Sequence, residues 1–232
     1  MDPESLKTVI ANFPRQVVPV IDPGIISYNK AFYIQSVLAE DIRDKGSLGI
    51  IMLLEHEPVI TIGSNRSKVN LVTSEKMLSG LGIELAGSDR GGDITLHAPG
   101  QIVCYPIFNL AFFGKDLSLF VYNLEQVILD TLDAFGLKGR RVEKHRGIFI
   151  GDKKIASIGL RVRKWVSIHG FSLNADIDLS YFRHIIACGL RDYPQTSISS
   201  LLGKNIDINY VKEQIIKSFE AVFDISTGRV DP

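Results

Sequence analysis

Two residues in the second half of the chain, Cys188 and Lys154, carry the side chains best suited to covalent chemistry. A cysteine nucleophile reacts as the thiolate, which needs a nearby cation, base or helix N-terminus. Gly189 follows Cys188 and leaves the sulfur approachable, while Lys154 opens an apolar run where a lysine is unusual unless its amine is used. Both also have ordinary explanations: Cys188 as a buried small hydrophobic side chain, and Lys154 as a strand-edge lysine that extends to water.

A second concentration of special residues spans positions 90–101, Arg-Gly-Gly-Asp-Ile-Thr-Leu-His-Ala-Pro-Gly-Gln. Its glycine pair lets backbone approach a ligand, and Ile94 and Leu96 alternate as in a short strand before a Pro-Gly turn. His97 is either a structural hydrogen-bonding group or a catalytic one. The same two explanations apply to His169, which precedes Gly170 at the predicted end of another strand.

Hydrophobic periodicity predicts the elements that position these residues. Helical spacing predicts helices over 27–45, 74–81, 117–136 and 211–222. Alternating or continuous apolar runs predict strands at 49–54, 59–63, 102–108, 147–150, 155–162 and 166–173. Short turns join the last three, which predicts antiparallel hairpins. This order predicts an α+β fold, with a mixed, largely antiparallel sheet and helices packed on it.

The composition is that of an ordinary globular protein, and we expect one catalytic domain over 1–232, in which the proline-rich residues 1–26 form an N-terminal arm or edge segment. The chain has 26 basic and 26 acidic residues, so nothing global favours nucleic acid or membrane partners. An acidic start and the lack of a long apolar run predict a cytoplasmic protein. Only two cysteines occur, without CxxC or HExxH spacing, which argues against disulfides and zinc. Cys104, within a predicted strand, fits the buried role better than Cys188 does.

Charge is nevertheless uneven along the chain. From Arg140 to Lys164 there are nine Lys or Arg residues and two acidic ones, a local net charge of +7. This stretch is either a docking surface for an acidic partner or a solvated strand face that acids balance elsewhere.

Taken together, the motifs resemble the lipoyl(octanoyl)transferase family in order and spacing. The matching segments are Arg90 to Pro106, Lys154 to Arg163, His169 to Asn174 and Cys188-Gly189, with Glu55 to Gly63 upstream, so the likeness covers residues 28–203. The resemblance implies a fold shared with biotin and lipoate protein ligases. It also implies transfer of an octanoyl group from the phosphopantetheine thioester of acyl carrier protein to a specific lysine of a lipoyl domain, with no other cofactor.

The resemblance further implies a role for each matching residue. Cys188 would be the acyl-thioester nucleophile, and Lys154 the partner that favours its thiolate and accepts the proton of the incoming amine. The acyl group would be bound by Arg90, Gly91, Gly92, Asp93, Ile94, Thr95, Leu96, His97, Ser157, Ile158, Gly159, Gly170, Phe171 and Ser172. Backbone N–H groups that the glycines leave accessible, together with His97, would stabilise the oxyanion of the tetrahedral intermediate. The implied partners are acyl carrier protein, the lipoyl domains of 2-oxoacid dehydrogenase complexes and the glycine cleavage H protein, and we expect the protein to be a monomer.

The chain departs from the family pattern at a few positions. Asp93, Leu96 and Ala98 stand where Gln, Tyr and Gly are usual, and Ile186-Ala187 replaces Asn-Pro before the cysteine. We expect Leu96 and Ala98 to reshape the acyl pocket and so to alter the preferred chain length. The lost proline predicts a looser loop.

Two other functions compete with octanoyl transfer. An ATP-dependent lipoate ligase of the same fold needs no cysteine, but its Arg-Arg-x-x-Gly-Gly-Gly pattern is absent here. A non-catalytic docking protein could bind acylated partners through the basic stretch, but it would need neither Cys188 nor Lys154.

Overall fold

The computed structural model of the chain describes residues 6–7, 13–14, 16–64 and 67–230. Its strands are β1 (Val17–Ile21), β2 (Ile25–Ile26), β3 (Gly49–His56), β4 (Val59–Ile62), β5 (Glu84–Gly87), β6 (Ile94–His97), β7 (Gln101–Phe108), β8 (Arg140–Val142), β9 (His145–Ile150), β10 (Lys153–Arg163), β11 (Val166–Asn174) and β12 (Ser226–Arg229). The helices with defined bounds are α1 (Tyr28–Lys45), α2 (Glu75–Gly80), α3 (Leu117–Asp133), α4 (Ile198–Leu202) and α5 (Ile208–Phe223). Within the described ranges no helix has the length and apolar character to cross a bilayer.

The strands of the described residues form two sheets. The larger has the order β12-β1-β3-β7-β11-β10-β9-β8, with β2 also paired to β3. Pairing is antiparallel from β3 through β8 and parallel where β1 meets β12 and β3. The smaller sheet has the order β5-β4-β6. The predicted α+β class and the mixed, largely antiparallel sheet are confirmed.

The start of the chain corrects one expectation. Residues 17–21 are not an arm but the strand β1, which pairs with β12 on one side and β3 on the other. Val18, Val20 and Ile21 are buried, and the burial of these side chains outweighs the donor that Pro19 lacks. The prediction for 1–5, 8–12 and 15 concerns positions outside the described residues.

Both faces of the larger sheet are covered. Side chains of β3 alternate, so that Ile51 and Leu53 face α3 and α5, while Ile50 and Met52 face α1. A strand buried on both faces reads as a continuous apolar run, which explains why this strand lacks alternation in the sequence. The smaller sheet packs on α2 and on the 177–187 segment in a separate hydrophobic cluster.

Candidate active site

A cleft of about 700 Å³ opens where the β10–β11 hairpin, the 90–97 segment and the turn at Cys188 meet. Its walls include both predicted catalytic residues and most of the predicted acyl-binding residues. Those that line it are Arg90, Gly91, Gly92, Asp93, Thr95, His97, Lys154, Ser157, Ile158, Gly159, Gly170, Phe171, Ser172 and Cys188.

A single 3-10 turn, Ala187–Gly189, presents Cys188 to this cleft. The backbone of Cys188 is left-handed, with φ 55° and ψ 18°. A residue with a β-carbon keeps this conformation only where its surroundings fix it, and such strain often accompanies a site. Because the side chain is half-buried and borders the cleft, the explanation of Cys188 as a core residue is wrong.

Asn70 is the residue that fixes this turn. Its carbonyl oxygen accepts from the Ile186 N–H at 2.8 Å, and its Nδ2 donates to Asp93 Oδ2 at 2.5 Å. A Cβ at residue 189 would lie 3.1 Å from Asn70 Nδ2, so glycine makes room for the amide. The turn is therefore held by hydrogen bonds where the family has a proline, and the expected looseness is offset. Asn70 carries no signal in the sequence, because it acts through long-range contacts.

Lys154 is almost completely buried, with 1% of its surface exposed. Its Nζ donates to the Arg146 carbonyl oxygen at 2.9 Å and lies 3.8 Å from Cys188 Sγ. The Pro194 carbonyl and the Thr196 N–H bind its backbone, which fixes the start of the side chain as well. Lys154 does not extend to water, so that explanation is wrong, and the amine is held beside the sulfur.

Gly147 provides the space that Lys154 occupies. Its φ is 115°, and a Cβ there would lie 2.2 Å from the Ala156 carbonyl oxygen and 3.1 Å from Lys154 Cε. Any side chain would push the lysine or its strand away, so this glycine positions the amine indirectly.

The β10–β11 hairpin brings two predicted acyl-binding segments together. Residues 157–159 face residues 172–170 in register, with Ser157 opposite Ser172 and Gly159 opposite Gly170. Ser157 Oγ lies 3.9 Å from Cys188 Sγ. A Cβ at Gly170 would lie 2.1 Å from the Cys104 carbonyl oxygen, which explains why close pairing of β11 with β7 requires glycine here.

Two predicted acyl-binding residues do not reach the cleft. Ile94 and Leu96 are fully buried in the hydrophobic cluster of the smaller sheet, and Ala98 lies in the same cluster. Alternation along β6 sends Thr95 and His97 to the cleft and their neighbours to the core. The expectation that Leu96 and Ala98 reshape the acyl pocket by direct contact is therefore wrong.

His97 is held as a neutral ring by a chain of hydrogen bonds. The Thr196 carbonyl accepts from Asn174 Nδ2, Asn174 Oδ1 accepts from Gln101 Nε2, and Gln101 Oε1 therefore accepts from His97 Nδ1 at 2.6 Å. Burial lowers the pKa of His97 well below its ordinary value. The free Nε2 then carries a lone pair, so it can accept a hydrogen bond but cannot donate one to an oxyanion. The predicted contribution of His97 to the oxyanion does not fit this geometry.

A similar arrangement lies behind His97. His56 Nδ1 donates to the Ile26 carbonyl at 2.9 Å, and His56 Nε2 accepts from the Tyr105 hydroxyl at 2.8 Å. Burial lowers the pKa of His56 to about 4. The rings of His56 and His97 meet edge to face at 5.5 Å. Sequence reasoning missed the roles of His56 and Tyr105 because only the fold stacks these side chains.

His169 lies in the middle of β11, not at a strand end as predicted. Its φ of 59° is left-handed, and its N–H donates to Gln35 Oε1 at 2.7 Å. His169 Nε2 lies 2.6 Å from Asp89 Oδ1, a contact that lowers the pKa of Asp89. Burial lowers the pKa of His169, and Asp89 opposes that shift. The histidine thus closes one side of the cleft as a fixed structural group.

Arg90 places a second cation at the cleft. It is buried, and its guanidinium donates to the Thr61 carbonyl and hydroxyl oxygens, both at 2.9 Å, and to the Gly91 carbonyl. Burial lowers the pKa of Arg90, and the Cys188 sulfur is the largest opposing influence. Among the described residues Arg90 forms no ion pair, so its charge acts on the cleft.

The basic stretch is divided between internal partners and the cleft rim. Lys144 and Arg146 are exposed and border the cleft. Three other members form ion pairs with acidic residues: Arg140 with Asp152, Arg141 with Glu125 and Arg161 with Asp89. The Lys154 ammonium donates to the backbone carbonyl of Arg146. The rim is therefore basic, and of the acidic partners only Glu125 and Asp89 lie outside the stretch, so most of the +7 charge remains.

Comparison with known proteins identifies the family to which the chain is similar. The model of the lipoyl protein ligase A/B catalytic domain matches residues 27–220. A protein named octanoyltransferase from a Thermoanaerobacter species is 44% identical over 212 residues, which cover 91% of this chain and 92% of the relative. Another octanoyltransferase, from Caldanaerobacter subterraneus, is 39% identical over 212 residues with the same coverage of 91% and 92%.

Three solved structures with a similar fold are described as ligases. Lipoate-protein ligase A bound with ATP has a TM-score of 0.74 at 16% identity, covering 93% of this chain and 90% of that chain. A bipartite lipoate protein ligase described with its E2 lipoyl domain, from Thermoplasma acidophilum, has a TM-score of 0.68 at 17% identity, with 93% and 88% covered. Biotin protein ligase from Aquifex aeolicus, in complex with biotin and ATP, has a TM-score of 0.55 at 13% identity, with 89% and 70% covered.

At these identities the solved structures show the fold alone, and they confirm the predicted fold shared with biotin and lipoate protein ligases. The sequence relatives go further, because their identity extends along nearly the whole chain. The chain belongs to the octanoyltransferase family, within the lipoyl protein ligase A/B catalytic-domain proteins, and it is an acyltransferase.

Proposed function

We propose that the protein transfers an octanoyl group from the thioester of acyl carrier protein to a lysine of lipoyl domains, through a thioester on Cys188, in lipoate biosynthesis. One observation carries this proposal: Lys154 Nζ is held 3.8 Å from Cys188 Sγ at the wall of the cleft. A buried cation beside a cysteine favours the thiolate, which is the form that attacks a thioester.

In the first step the Cys188 thiolate attacks the carbonyl carbon of the octanoyl thioester. The carrier's phosphopantetheine thiolate leaves and takes a proton from the Lys154 ammonium. Both the donor and the acyl-enzyme are thioesters, so the exchange is close to thermoneutral and needs no ATP.

In the second step the neutral amine of the acceptor lysine attacks the acyl-enzyme. Lys154, now an amine, accepts the proton that the attacking nitrogen loses, and the Cys188 thiolate leaves. This restores the starting ion pair. Lys154 thus donates one proton and accepts one in each cycle, which is consistent with its fixed hydrogen bond to the Arg146 carbonyl.

The oxyanion of both tetrahedral intermediates requires donors near the sulfur. The Ser157 hydroxyl lies 3.9 Å from Sγ, and the Lys154 amine lies 3.8 Å from it. The Arg90 guanidinium adds positive potential without competing for the proton, since arginine stays protonated. We assign oxyanion stabilisation to Ser157 and Lys154, in place of His97.

The basic rim suits the two protein substrates. Exposed Lys144 and Arg146 border the cleft, and acyl carrier proteins and lipoyl domains are acidic families. A positive rim raises the encounter rate with acidic partners, and salt screens it. KM for both protein substrates is therefore expected to rise with ionic strength, and a KM that is insensitive to salt would remove this role.

Mass spectrometry tests the proposal. The protein is incubated with octanoyl-acyl carrier protein without ATP, and its intact mass should increase by one octanoyl group that hydroxylamine removes. Cys188→Ser should not acquire this thioester, and Cys104→Ser, which changes the buried cysteine, should acquire it normally. A hydroxylamine-labile adduct on Cys188→Ser would exclude Cys188 as the nucleophile. A requirement for ATP would favour the ligase function that the similar solved structures represent.

A further inference from the structure

The pairing of Cys188 with Lys154 also places a solvent-accessible thiol beside a primary amine. We propose that peroxide oxidation of Cys188 is captured by Lys154 as a reversible sulfenamide, a covalent S–N link between Sγ and Nζ. The inference uses the same two side chains as the proposed function, but it concerns their oxidation and does not depend on octanoyl transfer.

The geometry places the Lys154 amine beside the Cys188 sulfur. Sγ and Nζ are 3.8 Å apart, and a rotation within the flexible lysine side chain closes that gap once the hydrogen bond to the Arg146 carbonyl is released. Cys188 is half-buried in an open cleft of about 700 Å³, which admits a molecule as small as hydrogen peroxide.

A disulfide cannot compete with this reaction inside one chain. The sequence has only one other cysteine, Cys104. It lies in the centre of β7 with no exposed surface, in the core between the sheet and its helices, and burial raises the pKa of its thiol well above the ordinary value. A sulfenic acid at Cys188 therefore has no resolving thiol, and its fate depends on the amine.

The oxidation itself prepares Lys154 for attack. The Cys188 thiolate attacks one oxygen of hydrogen peroxide, which forms the S–O bond of the sulfenic acid and breaks the O–O bond to release hydroxide. The Lys154 ammonium protonates that hydroxide to water. That proton transfer leaves Nζ as a neutral amine beside the sulfur, which is the form that can attack.

The amine then condenses with the sulfenic acid. Nζ attacks Sγ, the S–N bond forms, the S–O bond breaks, and the hydroxyl leaves with the nitrogen's proton as water. Relative to the reduced protein, the product has lost two hydrogen atoms. Two molecules of an external thiol reverse it, returning the free thiol and amine and forming one external disulfide. The link therefore shields the nucleophile from irreversible sulfinic and sulfonic oxidation.

The test treats the purified full-length protein with one equivalent of hydrogen peroxide and measures its intact mass. We expect a species lighter by two hydrogen atoms, a peptide map that joins the segments of Lys154 and Cys188, and return to the original mass with dithiothreitol. Lys153→Met removes the adjacent exposed lysine and should leave the link unchanged. Lys154→Met should instead accumulate a sulfenic acid that dimedone traps, and it should form sulfinic acid several-fold faster under excess peroxide.

Other outcomes would overturn the inference. A wild-type product heavier by one or two oxygen atoms, without the loss of two hydrogens, would show that the amine does not capture the sulfur. A cross-link that retains an oxygen atom would exclude the sulfenamide. Equal rates of sulfinic acid formation in wild type and Lys154→Met, with native circular dichroism for both, would show that Lys154 gives no protection. None of these measurements involves an octanoyl donor. The sulfenamide can therefore be refuted while acyl transfer is confirmed, and acyl transfer can be refuted while the sulfenamide is confirmed.

Discussion

Acid is expected to destabilise the protein through His56, whose buried neutral ring packs edge to face against the cleft residue His97. His56 is fully buried, donates to the Ile26 carbonyl and accepts from the Tyr105 hydroxyl. Protonation would add a charge in an apolar setting and place an N–H where the ring must accept a hydrogen bond. The folded state therefore resists protonation, and the pKa falls from 6.5 to about 4.

The direction and magnitude of this effect on the free energy of unfolding follow from the linkage between proton binding and folding. Above pH 6.5 the ring is neutral in both states, so its titration contributes nothing. Below pH 6.5 the unfolded chain binds the proton first, and the free energy of unfolding falls until the folded ring titrates near pH 4. At about 1.4 kcal/mol per pKa unit, the loss from His56 across that window is about 3 kcal/mol.

The assay compares urea unfolding of the wild type with that of His56→Gln at several pH values between 7 and about 4.5. Glutamine can keep a donor and an acceptor but does not titrate, and the other groups titrate in both proteins. The wild type should therefore lose stability relative to the variant as the pH falls, by about 2–3 kcal/mol at the acid end. A stability difference that stays constant with pH would refute the argument, as would one that grows in favour of the wild type.

Three further predictions concern the residues that surround Cys188 in the candidate active site. Gly147→Ala should displace the Lys154 side chain and lower kcat by about 10²-fold or more. The control Gly151→Ala is also at positive φ, but a Cβ there would have no atom within 4 Å, so this variant should lower stability and leave kcat unchanged. Equal kcat values in the two variants would show that Gly147 does not position the lysine. Lys154→Met should raise the pH at which iodoacetamide alkylates Cys188 half-maximally, and an unchanged profile would remove the lysine's role. Ser157→Ala should lower kcat by roughly 10² with little change in KM if its hydroxyl binds the oxyanion, and a change confined to KM would assign it to substrate binding alone.

Much of the fold followed from local patterns. The helix α3 and the β10–β11 hairpin are visible because their apolar spacing and turns are local in the chain. By contrast, β12 reads Ser-Thr-Gly-Arg and becomes a strand only by pairing with β1 from the opposite end of the chain. No local signal encodes that pairing, so sequence reasoning missed β12 and took the β1 segment for an arm.

The candidate site likewise contains residues that local sequence patterns predict and residues that only the fold brings together. Cys188 and Lys154 stood out by residue type and motif, and the structure places them side by side. Asn70 could not be found, since an asparagine in a loop has no distinguishing feature until the fold places it beside the turn that carries Cys188. Ile94 and Leu96 were misplaced because a contiguous motif was read as one surface, although a strand sends alternate side chains to opposite faces.

We propose that the Cys188 thioester is an intermediate on the path to the lipoyl domain. The direct measurement isolates octanoyl-labelled protein, free of donor and ATP, and mixes it rapidly with an unmodified lipoyl domain while both masses are followed. We expect the octanoyl group to leave Cys188 and to appear on the acceptor lysine at a rate at least equal to steady-state turnover. An adduct that persists, or that hydrolyses without acylating the domain, would contradict it.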